Sequence, residues 1–87
     1  MVWWSVELGL KNFTWIDIAY CGNHNIMTKA ELKKFLSAFS VKDWPQFDII
    51  SVKIIRNKRL GTTCMYESET IGYTDVTPQG TLYYIEL

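Results

Sequence analysis

Residues 27–39 read Met27-Thr28-Lys29-Ala30-Glu31-Leu32-Lys33-Lys34-Phe35-Leu36-Ser37-Ala38-Phe39. This stretch is an amphipathic helix that carries its own start signal. Thr28 is an N-cap residue, and Glu31, three residues on, is placed to close a capping box on the Thr28 amide. Met27 and Leu32 occupy the two positions of a hydrophobic staple. Leu32, Phe35, Leu36 and Phe39 recur at i, i+3, i+4 and i+7, one apolar stripe, while Lys29, Lys33, Lys34 and Ser37 take the other side. The helix should end near Phe39 or Ser40. No second stripe of this kind occurs, so the helix must be buried against strands.

Upstream of the helix the period changes to two. Val2, Trp4, Val6 and Leu8 alternate with Trp3, Ser5 and Glu7; Ile16, Ile18 and Tyr20 alternate with Trp15, Asp17 and Ala19. Gly9-Leu10-Lys11-Asn12 between them predicts a hairpin with a loop of three to five residues. Matching the apolar faces sets Val6 opposite Ile16, Trp4 opposite Ile18 and Val2 opposite Tyr20. Residues 21–25 are loop chemistry.

Downstream, residues 40–46 make a crossing in which Trp44-Pro45 disfavours helix. Residues 47–56 are dense in Ile and Val and read as the most buried strand, with Ile50, Val52 and Ile54 toward the helix and Ile49, Ser51, Lys53 and Ile55 away from it. Residues 57–61 turn the chain and 62–67 form a short strand. Residues 68–80 are mostly loop with a short strand at 71–74, and 81–87 form a terminal strand. The expected fold is α+β: a single small domain over residues 1–87, one helix packed on one face of a mixed four- to five-stranded sheet, in the order ββαβββ. This element order and length resembles the β-grasp architecture of ubiquitin-like domains. The chain reads Tyr84-Ile85-Glu86-Leu87 at its end, without the Gly-Gly of a conjugated modifier, so the resemblance implies no conjugation. A ferredoxin-like fold would need a second helix.

Composition narrows the function classes. A chain of 87 residues buries only about 60–65% of its unfolded surface, so its core must be dense. Four Trp, five Tyr and four Phe supply it, and they exclude disorder. No apolar run approaches the roughly 20 residues of a membrane helix, so no membrane partner is expected. The start, with Glu7 close behind Met1 and no basic region, lacks a secretory signal, which predicts a cytoplasmic protein with Cys21 and Cys64 as reduced thiols.

Charge is neutral in sum and uneven along the chain. Residues 29–59 hold eight Lys or Arg against three acids; residues 60–87 hold four acids and no Lys or Arg. Such asymmetry shapes which surfaces a partner can approach. Lys53, Arg56, Lys58 and Arg59 cluster at a strand end. With Trp3 and Trp15 they would combine phosphate contact and base stacking in a single-stranded nucleic-acid binder. A pI near 6.5 opposes that alternative.

Catalytic patterns are thin. Cys21 and His24 have Cys-x-x-His spacing, but with Cys64 they make three zinc ligands at most, and Asp17 is a poor fourth, so neither metal nor cofactor is expected. The same pair as thiolate and base needs a third, orienting group, for which Asp17 is the candidate. Glu67 and Glu69, two apart on a strand, read as a solvated edge. Gly61-Thr62-Thr63 lacks the spacing and Lys of a phosphate loop. A small chain with a filled core also leaves little room for an active-site pocket, so the protein is expected not to be an enzyme.

One helix covers one side of a sheet. The uncovered side is expected to carry Trp3, Trp15, Ile49, Ile55 and Tyr84, with Asp17 and Lys53 among them. Aromatic and aliphatic groups ringed by charge suit a protein interface or self-association; a covering loop at 68–80 is the competing use of the same groups. The leading expectation is a small non-enzymatic protein-interaction module. By size alone it fits a regulator or inhibitor of the kind that phages and mobile elements encode.

Overall fold

The computed structural model describes residues 1–18, 26–62 and 64–83. They form strand β1 (Val2–Leu10), strand β2 (Trp15–Asp17), helix α1 (Lys29–Ala38), strand β3 (Ile49–Arg59) and strand β4 (Tyr66–Asp75). The four strands make one antiparallel sheet in the order β2-β1-β3-β4. This is a small α+β domain. The sheet differs from the expected mixed one in the strand beside β1. The Lys11 amide donates to the Asp48 carbonyl at 2.9 Å, so the chain re-enters the sheet at the Leu10 end of β1 and β3 must run antiparallel to it. The β-grasp arrangement, with a terminal strand beside β1, is not what these strands adopt.

The helix starts as its sequence dictates. The Glu31 amide donates to Thr28 Oγ1 at 3.2 Å, and the Thr28 amide donates to Glu31 Oε1 at 3.1 Å, closing the capping box. Met27 and Leu32 are both buried. Met27 is also tied to β1, exchanging two backbone hydrogen bonds with Trp4 at 2.9 and 3.0 Å. Leu32 and Phe39 of the helix stripe enter a core with Val6 and Leu8 of β1, Val52 and Ile54 of β3, and Ile18. Trp44 of the crossing closes it.

The β1–β2 register is two residues from the expected one: Leu8 lies opposite Ile16 and Gly9 opposite Trp15. A tight turn causes the shift, with the Leu10 amide donating to Thr14 O and the Phe13 amide to Leu10 O, both at 2.9 Å. A two-residue shift preserves the faces. Tyr20 lies outside the described residues.

Two bulges produce the other differences. Gly9 pairs with Ser51 but Leu10 pairs with Ile49, so Ile50 is the extra residue on β3. Ile49 therefore turns into the core and Ile50 is exposed, the reverse of the expected assignment. On β4, Ile54 pairs with Gly72 and Ile55 with Thr70, leaving Ile71 extra. Continuous β4 replaces the expected short strand at 62–67 and loop at 68–80 from Tyr66 to Asp75, and ahead of it Gly61 has φ 62° and the Leu60 amide donates to Met65 O. Beyond β4 the Val76–Leu82 bridge closes over a turn at 77–80. Of the expected terminal strand, 84–87 lie outside the described residues.

A ten-residue helix is about 15 Å long, whereas eleven-residue β3 spans about 36 Å. Helix α1 thus covers only the Leu10 end of its own side of the sheet. The other end projects as a ribbon.

Candidate interaction surface

The side of the sheet away from α1 is built in rows by the register. Trp15, Gly9, Ser51 and Asp75 form the first row. Asp17, Glu7, Lys53 and Tyr73 form the second. Ser5, Ile55 and Thr70 lie in the middle, followed by Trp3, Asn57 and Ser68, and last by Arg59 and Tyr66. Four aromatic side chains therefore share this face. Trp15 is 41% exposed, Tyr66 57% and Tyr73 68%, while Trp3 is half-buried.

Each aromatic group near a cation is held by a specific contact. At the first rows Lys53 Nζ sits 4.1 Å from the centre of the Trp15 ring and 3.8 Å from Glu7 Oε2. At the far end Trp3 and Tyr66 pack with ring centres 5.3 Å apart and planes tilted by 59°, and the Arg59 guanidinium lies 6.0 Å from the Trp3 ring centre. Between the two clusters the floor is low and polar. Asn57 is 4% exposed; its Nδ2 donates to Ser5 Oγ at 3.1 Å, and its Oδ1 accepts from Ser68 Oγ. This seam stitches β1, β3 and β4 together beneath the aromatic pair.

The expected interface residues separate accordingly. Trp3, Trp15, Asp17, Lys53 and Ile55 lie on this face; Ile49 does not, because the β3 bulge buries it. Tyr84 lies outside the described residues. Tyr66 and Tyr73 were not foreseen. Seven residues apart, they should alternate to opposite faces, and the bulge at Ile71 brings them to the same one. The expected covering loop at 68–80 is instead largely β4, part of the sheet itself.

The four residues of the nucleic-acid alternative do not share a face. Lys53 and Arg59 lie on the aromatic side, and Arg56 and Lys58 on the helix side, opposite Glu69 and Glu67. Arg56 Nη1 is 3.4 Å from Glu69 Oε1. These four charged side chains and Ser68 line an open groove of about 310 Å³ on the projecting ribbon. Glu67 and Glu69 thus face cations across the hairpin. Among the described residues no group of three His, Cys, Asp or Glu side chains is placed to hold a metal ion. Cys64 is an exposed free thiol, and Cys21 and His24 lie outside the described residues. No described helix is long and apolar enough to cross a membrane.

The class is therefore a small α+β domain with a helix on one side of an antiparallel sheet and an aromatic face on the other. Comparison with protein-family models, curated proteins and solved structures finds no match.

Proposed function

We propose that this chain is a non-enzymatic protein-binding module whose contact surface is the aromatic face of the sheet. The observation that carries this reading is the placement of Trp15, Tyr66 and Tyr73, all exposed, on one face with half-buried Trp3. The wet side of an antiparallel sheet is ordinarily polar. Aromatics exposed on one sheet face mark contact surfaces, and Trp and Tyr dominate binding energy there. The split of Lys53 and Arg59 from Arg56 and Lys58 favours a protein over a phosphate backbone, which would be met by cations on one face.

The test compares immobilised wild-type protein with a Trp15→Ala/Tyr73→Ala variant and a Lys33→Glu/Lys34→Glu variant on the helix. A protein captured at low and high salt by wild type and helix variant, and lost from the aromatic variant, is the expected result. Loss of an aromatic anchor at such a site costs about 2 kcal/mol or more. Capture that follows the helix lysines, or that consists of nucleic acid released by salt, overturns the reading.

A further inference from the structure

We propose that the outer edge of β4, over Tyr66–Thr70, adds an extended segment of a partner protein as a further strand, and that this segment carries Lys or Arg at alternate positions. This docking site is separate from the aromatic contact surface proposed above, and neither depends on the other.

The backbone supplies the site. Strand β4 is an outer strand of the sheet. The Arg59 amide donates to Met1 O and the Leu60 amide to Met65 O, both at 3.0 Å. Arg59 therefore bonds toward β1 and Leu60 toward the β4 side, and the direction alternates along an antiparallel ladder. Lys58 with Glu67 and Arg56 with Glu69 are then the pairs bonded within the sheet, and Tyr66, Ser68 and Thr70 turn their amides and carbonyls outward. At the Asp75 end the chain covers its own edge: Val76 bridges to Leu82, and the Tyr83 amide donates to Asp75 O at 3.4 Å. No described residue pairs with the outer side of Tyr66–Thr70. Such a row of outward backbone groups is matched by an extended segment.

Side chains choose which segment. On the helix side of the ribbon the rows alternate in sign, Lys58 then Glu67 and Arg56 then Glu69. Glu67 makes no ion pair among the described residues, and Glu69 stays mostly exposed beside Arg56. A cation on an added strand would stand one strand spacing, about 4.8 Å, from these carboxylates and about twice as far from Lys58 and Arg56. The open groove of about 310 Å³ that these four side chains and Ser68 line gives its stem room. On the other side, alternate residues of the added strand come beside Tyr66 and Thr70, where β-branched side chains pack.

The same acids turn away a second copy. Two open segments overlapped in full pair antiparallel about Ser68, which sets Glu67 of each beside Glu69 of the other. Repulsion of its own kind and attraction of a cationic strand together make the edge selective.

The test is amide NMR with hydrogen exchange on the full chain, using two short capped peptides. One alternates Lys with Val and Thr; the other is identical but has Glu for Lys. The Lys peptide should slow exchange of the outward Tyr66, Ser68 and Thr70 amides, leave the already bonded Glu67 and Glu69 amides unchanged, and bind about tenfold or more tighter than the Glu peptide. Glu67→Lys/Glu69→Lys should reverse that preference. Thr70→Pro, which removes an outward amide and no charge, should weaken the Lys peptide. Circular dichroism confirms that each variant is folded. No protection at millimolar peptide, protection without alternation, or an equal response to both peptides overturns the proposal. So does protection of these amides that appears without peptide and grows with protein concentration, because a second copy would then hold the edge.

Discussion

The Trp15 indole lies across Gly9, its cross-strand partner. A Cβ built on Gly9 would stand 2.9 Å from Cζ3 of that ring and closer still to the Ser51 hydroxyl. Any side chain at position 9 would lift the indole from the sheet and away from Lys53. Gly9→Ala is expected to destabilise the domain by about 1–3 kcal/mol, the usual cost of overpacking. It should also shift Trp15 fluorescence toward that of a solvated indole. Denaturant unfolding with fluorescence measures both, and an unchanged Trp15 signal would contradict the close approach.

The Asn57 amide joins three strands, and its replacement should be costly. Asn57→Ala leaves the buried Ser5 hydroxyl without its partner and takes away the acceptor of the Ser68 hydroxyl, for an expected loss of about 1–3 kcal/mol. Asn57→Asp should be worse at neutral pH, because it gives up the donated hydrogen bonds and buries a charge. Desolvation raises the pKa of such a carboxyl in the folded state. The penalty is therefore present above that pKa and is relieved as pH falls through it. Unfolding of both variants at neutral and mildly acidic pH checks the ranking; equal stability of the two at neutral pH would count against a closed seam.

The helix cap offers the cleanest local test. Thr28→Ala removes the acceptor for the Glu31 amide and should cost about 1 kcal/mol, while Thr28→Ser should cost little. Thermal unfolding distinguishes them. An Ala variant as stable as wild type would mean that the capping box contributes nothing to the folded state.

How far the sequence could be read depends on where each signal is local. The cap, the staple and the stripe of α1 involve neighbours a few residues apart, and they are legible as written. The face of β1 is equally legible, since Val6 and Leu8 alternate with Glu7 in a strand buried on one side. The sheet order was not. It depends on the crossing from Phe39 to Asp48 and on one amide, that of Lys11, meeting Asp48 across the chain. Strand β4 was missed because most of it projects beyond the helix: with no core to face, Glu67, Ser68, Glu69 and Thr70 show no apolar alternation. The bulges at Ile50 and Ile71 defeat parity itself. They moved Ile49 out of the expected surface and brought Tyr66 and Tyr73 into it, which strict alternation cannot do.

Phe13 stands at the tip of the β1–β2 hairpin with φ 67°, a left-handed conformation that disfavours side chains with a Cβ. It is 88% exposed, so burial does not offset the strain. The turn itself is held by others: Asn12 Oδ1 accepts from the Thr14 amide at 3.2 Å and from Thr14 Oγ1 at 2.6 Å. Phe13→Asn should therefore raise stability, by up to about 1 kcal/mol, because Asn tolerates this region. Phe13→Gly should gain less, since glycine relieves the same strain but adds freedom to the unfolded chain. Phe13→Val, β-branched and stiff, should be the least stable of the series. Denaturant midpoints of the four proteins test the order. If Phe13 itself proved the most stable residue at this position, the side chain would have to make contacts that an exposed hairpin tip does not offer.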